Sequence, residues 1–526
     1  MAQRALTNLA NILAHRAGVV ADMEIFELLT QGLLTALQPQ NLLFALLGCI
    51  LGQTIGVLPG IGSAAAIAVL IPVTLSLPVV PAIIMLSGIF YGTNYGGTIT
   101  SVLMNTPGES ASVVTVLDGY QMARRGRAGV ALGIAAIGSF VGGVLGVIGL
   151  AAAAKPLTDI AIRIGPPEYF VLMVLGLTLL TGLSTGSVLK SMMMALLGLL
   201  IGTIGIDPAL GIPRFTFGQP ELLDGLSFIP LVIGLFGIGE ILLNIERRNR
   251  TVFTRQFGSV LPTRTDLRQS AGPMARGTVI GFVLGLVPGA TSVIASYLSY
   301  GTEVRRAKDR SRFGKGAIEG VAGPETANNS FVSANFIPLL ALGIPGTASM
   351  AMIMGGMMAN GLVPGPRLFT DQSDFVWTLI ASMLVGNVIL LLLNLPLIRF
   401  WVLLLRVPYA ILFSIILLFT IIGAYAVSYS AFNLVVMTVA GFAGYMLKKL
   451  DYPLAPLVLT LIIGPLMEEN FRRSLQMSSG GMEIFIDRPI ALAGLCLVAL
   501  LLAWPIVRSI VRRRKPHSVR QSVPHE

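Results

Sequence analysis

Charged and metal-binding side chains are scarce in this sequence of 526 residues. Only 12% of the residues are charged while 54% are hydrophobic, and a soluble globular protein carries about twice that charged fraction. The three histidines, His15, His517 and His525, lie near the termini, which excludes a histidine site within the apolar part of the chain. The two cysteines, Cys49 and Cys496, are expected to be small hydrophobic residues in apolar segments, with no disulfide.

A nucleotide-binding loop is absent as well. The nearest candidate, residues 313–316 (FGKG), lacks both the upstream glycine at the required spacing and a Ser or Thr after the lysine. No histidine, cysteine pair or metal-spaced carboxylate cluster is available for an intramembrane enzyme, so we expect no enzymatic activity and no cofactor. An ion gradient is the expected energy source, with sodium or a proton as the coupling ion.

Long apolar runs are the main feature that is present. Examples are residues 130–154, 168–183, 375–395 and 490–507. Runs of this length cross a bilayer as helices, so we predict an all-α polytopic membrane protein with about 10–14 membrane segments. Its 59 glycines and 30 prolines are many for helices, but membrane bundles tolerate both residues where neighbouring groups pair the freed backbone.

Basic residues concentrate in four segments, namely residues 124–127, 247–276, 305–315 and 508–515. The positive-inside rule places these segments and the C-terminus in the cytoplasm. The net charge of +11 is therefore explained by basic residues in the cytoplasmic loops, and we expect no nucleic-acid partner.

Two sequence patterns occur once in each half of the chain. Residues 52–60 (GQTIGVLPG) and 281–289 (GFVLGLVPG) both read GxxxGxxPG, and residues 103–108 (LMNTPG) resemble residues 341–346 (ALGIPG). Four Pro-Gly pairs in a two-fold order indicate an internal duplication. We expect two related halves, arranged as inverted repeats.

The second-half copy of the first pattern predicts a re-entrant hairpin. Residues 277–302 have basic segments on both sides, so a single crossing would place one of these segments outside. A hairpin with arms of about ten residues, each rising about 15 Å, would reach mid-bilayer with Pro288-Gly289 at its tip. Residues 42–77 would span about 54 Å as one helix, so the first half must break too, at Pro59-Gly60.

These patterns divide the chain into five segments. Residues 1–22 are expected to be disordered, either as an upstream extension before a natural start at Met23 or as a genuine tail. Residues 23–245 form the first half, 246–276 a basic cytoplasmic linker, 277–507 the second half and 508–526 a basic cytoplasmic tail.

The four Pro-Gly breaks are the candidate binding sites. Backbone groups inside a bilayer must be paired unless they line a cavity or bind a ligand. The N-termini of broken helices present N–H groups and a positive dipole end to anions. Ionisable side chains near the breaks are functional candidates by default. The predicted substrate- or ion-binding residues are Gly60, Ser63, Asn94, Asn105, Thr106, Gly108, Glu109, Ser110, Gly289, Thr291, Ser292, Glu325, Asn328, Asn329, Ser333, Gly346 and Thr347.

Structural alternatives stay open for these residues. The breaks could be packing kinks between close helices, and the polar run at residues 324–330 could be a solvated cap of the next helix. No Lys or Arg lies in the break motifs. An anion would therefore be held by dipoles, amides, hydroxyls and, where one is bound, sodium, whose ligands the sequence does not identify.

Most of the break motifs lie in four long stretches, namely GVLPGIGSAAAIAVLIPVT (from Gly56), YGTNYGGTITSVLMNTPGESASVVTVLDGYQMARRGRAG (from Tyr91), FGKGAIEGVAGPETANNS (from Phe313) and LLALGIPGTASMAMIMGGMMANGLVPGP (from Leu339). On these stretches the chain resembles the large membrane subunit of the tripartite tricarboxylate transporter family (TctA-type), from about Met23 to about Val507. Break residues 107–111 read PGESA where many family members carry PGTPA, so Glu109 is either a subgroup feature with a role in coupling or a cap of the following helix.

The resemblance implies a multi-pass secondary transporter of the bacterial inner membrane, coupled to sodium. It also implies two partners, a small four-helix membrane subunit and a periplasmic solute-binding protein that delivers a carboxylate. Members of the family take citrate-like tricarboxylates, dicarboxylates or aromatic acids, so the substrate stays open, as does a homodimer.

For the mechanism, we expect symport by one mobile unit built from the two break-bearing repeats. This unit would carry a carboxylate and cations across in an elevator-like movement against a scaffold. A passive anion channel is the alternative, because a channel would also tolerate polar breaks at mid-depth.

Overall fold

The structure, a computed structural model, describes residues 25–58, 61–161, 164–183, 187–207, 209–247, 258–405, 409–427 and 429–513. The segment expected to be disordered at residues 1–22, the alternative start at Met23, the corner Pro59-Gly60 and most of the basic tail lie outside the described residues. The described chain is almost entirely helical, which confirms the predicted all-α class.

Helices α1 to α10 belong to the first half of the chain. A π-helical turn, Ile233–Ile238, joins α9 to α10, and α8 leads into a short antiparallel pair of strands, β1 (Gly205–Ile206) and β2 (Pro213–Arg214). The helices are α1 (Ile25–Ala36), α2 (Pro39–Gly56), α3 (Ser63–Thr74), α4 (Val79–Met104), α5 (Val113–Arg124), α6 (Ala128–Ala161), α7 (Pro166–Leu183), α8 (Val188–Gly202), α9 (Phe228–Val232) and α10 (Gly239–Arg247).

Helices α11 to α23 belong to the second half. They are α11 (Arg264–Gly285), α12 (Ser292–Arg306), α13 (Glu319–Ala334), α14 (Phe336–Leu342), α15 (Ala348–Ala359), α16 (Pro366–Asp371), α17 (Ser373–Asn394), α18 (Ile398–Leu404), α19 (Tyr409–Ala426), α20 (Ala431–Lys449), α21 (Leu454–Met477), α22 (Ile484–Asp487) and α23 (Pro489–Arg513).

Several of these helices are long and apolar enough to cross a membrane. Among the described residues there are six, namely α4, α6, the helix from α9 to α10, α17, α20 and α21. A seventh candidate combines α1 and α2, which meet at 80°. Two of the shorter apolar helices, α3 and α15, come directly after Pro-Gly breaks. The chain is therefore a multi-pass helical membrane protein with broken spans.

Glycines allow the closest helix contacts in both halves. On α2, Gly48, Gly52 and Gly56 face the backbone of α4, and a Cβ added at Gly52 would lie 2.3 Å from the Ile89 carbonyl oxygen. On α11, a Cβ added at Gly281 would lie 2.1 Å from the Ala327 carbonyl oxygen of α13. Small residues four positions apart let helix backbones approach in this way. The same helix pair thus recurs in each half.

Each half contains two breaks, and their order along the chain is the same. We call them break 1 (residues 57–62), break 2 (105–109), break 3 (286–291) and break 4 (343–347). Helix α3 follows break 1 and packs against α15, which follows break 4, whereas α12 packs against α5. Each of these pairs combines one helix from each half.

Helices α11 and α12 form a hairpin around break 3. The arms lie side by side, and the Arg276 Nε atom donates to the Glu303 Oε1 atom at 2.8 Å between them. Gly289 at the tip has a φ of 86°. The first arm is longer than the expected ten residues, because Thr263 and Asp266 form a capping box that starts α11 at Arg264, within the segment expected to be a linker.

Three of the basic segments meet at one end of the molecule. The Asp118 carboxylate, near the end of α5, accepts from the Gly316 and Ala317 N–H groups at 2.7 and 2.8 Å. Arg127 and Asp266 form an ion pair at 2.6 Å, although the arginine is about half exposed. This end is the one that the charge pattern assigns to the cytoplasm.

A second group of helices packs against part of the break-bearing group. This outer group consists of α7, α8, α19, α20, α21, α23 and the helix from α9 to α10. Its contact with break 3 is close, since a Cβ added at Gly289 would lie 2.5 Å from the Leu180 nitrogen of α7. The outer group and the break-bearing helices enclose a cavity between them.

Candidate functional site

The helices that follow the four breaks begin at one cavity, which we call the central cavity. It has a volume of about 570 Å³. A 3-10 turn, Ser110–Ser112, connects break 2 to α5 and borders the cavity together with the N-termini of α3, α12 and α15. The lining residues from the breaks and these helix starts are Gly62, Ser63, Ala64, Ala65, Pro107, Gly108, Glu109, Ser110, Thr291, Ser292, Val293, Gly346, Thr347, Ala348 and Ser349.

Glu109 lies between two of the helix starts. Its Oε2 atom accepts from the Ser63 N–H at 2.7 Å, and its Oε1 atom accepts from the Ser110 N–H at 3.2 Å. The first N–H groups of a helix have no partner within the helix and carry the positive end of its dipole. The carboxylate of Glu109 therefore occupies the kind of position that an anionic ligand would take.

The second-half helix starts are capped by neutral hydroxyls instead. The Thr347 hydroxyl accepts from the Met350 N–H at 3.3 Å, and Thr291 accepts from the Ile294 N–H at 3.5 Å. The Gly289 N–H donates to the Gly346 carbonyl at 3.1 Å, which joins break 3 to break 4.

The two halves touch directly at the cavity. The Ser63 and Ser349 hydroxyl oxygens, one from each half, lie 2.7 Å apart. Phe90 and Asn94 of α4, and Phe331 and Val332 of α13, line the cavity from the corresponding helix of each half. The cavity is thus polar at the helix starts and mainly apolar at its walls, as small-molecule sites usually are.

A charged pair from the outer helices also lines the central cavity. The Lys448 ammonium at the end of α20 bonds to the Glu240 carboxylate of α10. Sequence reasoning missed this pair because it concentrated on the break motifs. One signal was available, since Glu240 is an ionisable residue within an apolar run and such residues are functional candidates.

The structure brings together a large part of the predicted set at the central cavity. The predicted residues that line it are Ser63, Asn94, Gly108, Glu109, Ser110, Thr291, Ser292, Gly346 and Thr347. Gly60 lies outside the described residues.

The other predicted residues lie elsewhere. Asn105 is exposed and ends α4 in a left-handed conformation, and the Thr106 hydroxyl donates to the Met104 carbonyl. Ser333 donates to the Gly143 carbonyl and accepts from Tyr91. Gly289 packs against α7 instead of lining the cavity. The remaining members are Glu325, Asn328 and Asn329, which are buried in α13.

The arrangement favours binding over covalent chemistry. Among the described residues, no group of three His, Cys, Asp or Glu side chains is placed to hold a metal ion. The central cavity offers helix N-termini, hydroxyls and one lysine, all of which are donors to anionic oxygens. A bound anion would meet donors from both halves of the chain.

Comparisons with known proteins identify the family of the chain. A protein from Agrobacterium vitis, described as an uncharacterized 52.8 kDa protein in the TAR-I ttuC' 3' region, is 45% identical over 493 residues, which cover 93% of this chain and 98% of that protein. A second, described as an uncharacterized protein in the TAR-II ttuC' 3' region, is 45% identical over 232 residues, 44% of this chain and 96% of its own length. No solved structure matches. The model of the tripartite tricarboxylate transporter TctA family matches residues 42–459, and the chain therefore belongs to that family.

Proposed function

We propose that this membrane subunit of a tripartite tricarboxylate transporter translocates a carboxylate through the central cavity. The observation that carries the proposal is the position of Glu109, whose carboxylate is held by N–H groups at two helix starts. Donors that hold the chain's own carboxylate can hold that of a substrate. The volume of about 570 Å³ is within the usual range of small-molecule sites.

The energy source in this proposal is an ion gradient, with sodium as the coupling ion, and the movement is elevator-like. The break-bearing helices would move as a unit against the outer helices, and the central cavity lies at the boundary between the two groups. The location would be the bacterial inner membrane, with a cytoplasmic C-terminus. The partners would be the small four-helix membrane subunit and the periplasmic solute-binding protein.

Uptake by proteoliposomes tests this function. The chain would be reconstituted with its small subunit, the cognate binding protein and a labelled carboxylate, and the sodium and proton gradients would be varied separately. We expect accumulation above the external concentration only when an ion gradient is imposed. Equilibration without accumulation under every gradient would instead identify a passive channel.

A further inference from the structure

Breaks 2 and 4 bring different charges to the central cavity. The stretch Pro107-Gly108-Glu109 of break 2 corresponds to Pro345-Gly346-Thr347 of break 4, so a carboxylate and a neutral hydroxyl occupy matching positions. The Glu109 carboxylate accepts from the N–H groups of Ser63 and Ser110. The first half therefore already holds one carboxylate at its helix starts, and this carboxylate belongs to the protein.

The start of α15, which follows break 4, has donors that no carboxylate occupies. The Thr347 hydroxyl accepts only from the Met350 N–H. The next two residues, Ala348 and Ser349, line the central cavity, and their N–H groups have no acceptor in the part of the chain that the structure describes. N–H groups in the first turn of a helix favour anions. A substrate carboxylate can therefore bind here without displacing a group of the protein.

This start of α15 is adjacent to Glu109. The Ser63 hydroxyl is a hydrogen-bonding partner of Glu109, and it lies 2.7 Å from the Ser349 hydroxyl. One serine thus connects the Glu109 carboxylate to the first turn of α15. Because like charges repel strongly where little water screens them, a carboxylate bound to α15 is repelled by the charge of Glu109.

No free positive charge in the central cavity offsets this repulsion. Among the described residues, the charged side chains that line the cavity are Glu109, Glu240 and Lys448. Lys448 and Glu240 form an ion pair with each other, so the two carboxylates and one ammonium leave a single negative charge. Each carboxylate that a substrate carries adds to the repulsion, whereas an apolar or neutral group does not.

We infer that Glu109 takes the place of one substrate carboxylate, so that the central cavity selects monocarboxylates over dicarboxylates and tricarboxylates. The inference rests on the proposed function, because it names the substrate class of the same cavity. One carboxylate binds the start of α15, and the rest of the substrate lies between the apolar walls that include Phe90 and Phe331. Glu109 is then the residue that determines how much negative charge a substrate can carry.

The test measures binding to the purified chain in detergent, which removes any selection by the binding protein. The probes are butyrate, glutarate and tricarballylate, which share a propane chain and carry one, two and three carboxylates. At about pH 8 all of these groups are ionised, and choline chloride keeps the ionic strength equal. Ligands that bind the folded state raise its Tm in a concentration-dependent way, so each titration gives a Kd. We expect the Kd to rise about tenfold with each added carboxylate.

Two variants remove the negative charge from break 2. Glu109→Gln keeps the shape of the side chain, and Glu109→Thr gives break 2 the residue that break 4 carries. Both should tighten the binding of glutarate and tricarballylate about tenfold relative to that of butyrate. The reverse exchange, Thr347→Glu, adds a carboxylate to break 4 and should weaken the binding of tricarballylate more than that of butyrate. This variant decides if neither Glu109 variant folds.

The matched control is Glu168→Gln. It removes a buried glutamate that pairs with Arg488 and does not line the central cavity. The order of the three Kd values should be the same in this variant as in the unchanged chain.

Two outcomes overturn the inference: an unchanged order of affinity in the Glu109 and Thr347 variants, or an unchanged chain that binds tricarballylate as tightly as butyrate. In both cases carboxylates still bind, and the proposed function stands. If none of the three probes shifts the Tm of any variant, the central cavity is not a carboxylate site, and the proposed function fails together with the inference.

Discussion

Breaks 2 and 4 occupy equivalent positions in the two halves, yet they cap the next helix in different ways. In both, the preceding helix ends in a left-handed residue, Asn105 with a φ of 58° and Gly343 with a φ of 67°. Both then continue through Pro-Gly. The first half places the carboxylate of Glu109 at the helix start, whereas the second half places the neutral hydroxyl of Thr347 there.

The difference shows that two breaks with similar sequences can carry unequal chemistry. Glu109 reaches across to the Ser63 N–H, so that one carboxylate holds two first-half helix starts. Thr347 reaches only within its own helix. An incoming anion therefore meets hydroxyl donors together with the negative charge of Glu109 on the first-half side of the central cavity, and neutral donors on the second-half side.

The largest effect is expected from locking a second-half break to an outer helix. A Cβ added at Gly176 of α7 would lie 4.0 Å from the Cβ of Pro288, a separation that suits a disulfide. In a chain without the exposed Cys496, the pair Gly176→Cys and Pro288→Cys should stop uptake when oxidised and recover when reduced. Proteoliposome uptake measures both states, with each single cysteine variant as a control. Normal uptake by the oxidised pair rules out elevator-like movement of break 3 past α7.

Substitution of alanine for the glycines of breaks 2 and 4 should also lower the Tm by unequal amounts. A Cβ at Gly108 would lie 2.5 Å from the Gly56 carbonyl oxygen, which is backbone, whereas at Gly346 it would meet the Asn335 side-chain amide at 2.8 Å. Overpacking against backbone costs about 1–3 kcal/mol, and a side chain can turn away. Gly108→Ala should therefore lower the Tm in detergent more than Gly346→Ala does. The reverse order would show that the two breaks are packed differently from this description.

Removing the capping group should raise substrate affinity in the first half and lower stability in the second. Glu109→Gln keeps a hydrogen-bonding side chain but removes the negative charge, so the KM for the carboxylate should fall about tenfold. Thr347→Val removes only a helix cap, so stability should drop by about 1 kcal/mol with no gain in affinity. Uptake kinetics and thermal melts separate these effects. An unchanged or higher KM for Glu109→Gln would mean that its charge does not oppose substrate.

The charged pair of the outer helices, Glu240 and Lys448, is expected to affect substrate affinity through its net charge. Lys448→Gln leaves Glu240 unpaired beside the central cavity, and repulsion should raise the KM about tenfold. The double variant Glu240→Gln and Lys448→Gln removes both charges, so most of the affinity should return. A double variant as weak as the single one would mean that Lys448 contacts the substrate itself.

The smallest effect is expected at the left-handed residues. Asn105→Gly gives break 2 the residue found in break 4, so Tm and uptake should stay unchanged. Gly343→Asn is the matched exchange. It should be destabilising, because a Cβ there would lie 2.6 Å from the Pro364 carbonyl oxygen. Equal tolerance of both exchanges would contradict the close contact at Gly343.

The breaks could be predicted from the sequence because their cause is local. Pro-Gly pairs interrupt helices wherever they occur, and the glycine spacing that lets α2 approach α4 is visible in the one-letter code. The Asp266 cap was equally local but lay inside a segment assigned to a basic linker. The hairpin around Pro288-Gly289 could be predicted because basic segments lie on both sides of one apolar run.

The composition of the central cavity could not be read in the same way. Glu240 and Lys448 are more than 200 positions apart in sequence, and their pairing depends on how the outer helices pack. Glu325 and Asn329 stood in the predicted set with the break residues. Only the packing of α13 against α4, α5 and α6 separates them into a cluster of their own.

The most direct test of the account uses the two serines that meet across the central cavity, Ser63 of the first half and Ser349 of the second. Each would be changed to cysteine singly, in a chain lacking Cys496, and labelled with a small thiol reagent in proteoliposomes. We predict that the transported carboxylate slows labelling at both positions, with half-maximal protection at the same concentration. Labelling rates at both positions that do not change with saturating carboxylate would contradict the claim that helix starts from the two halves hold the substrate together.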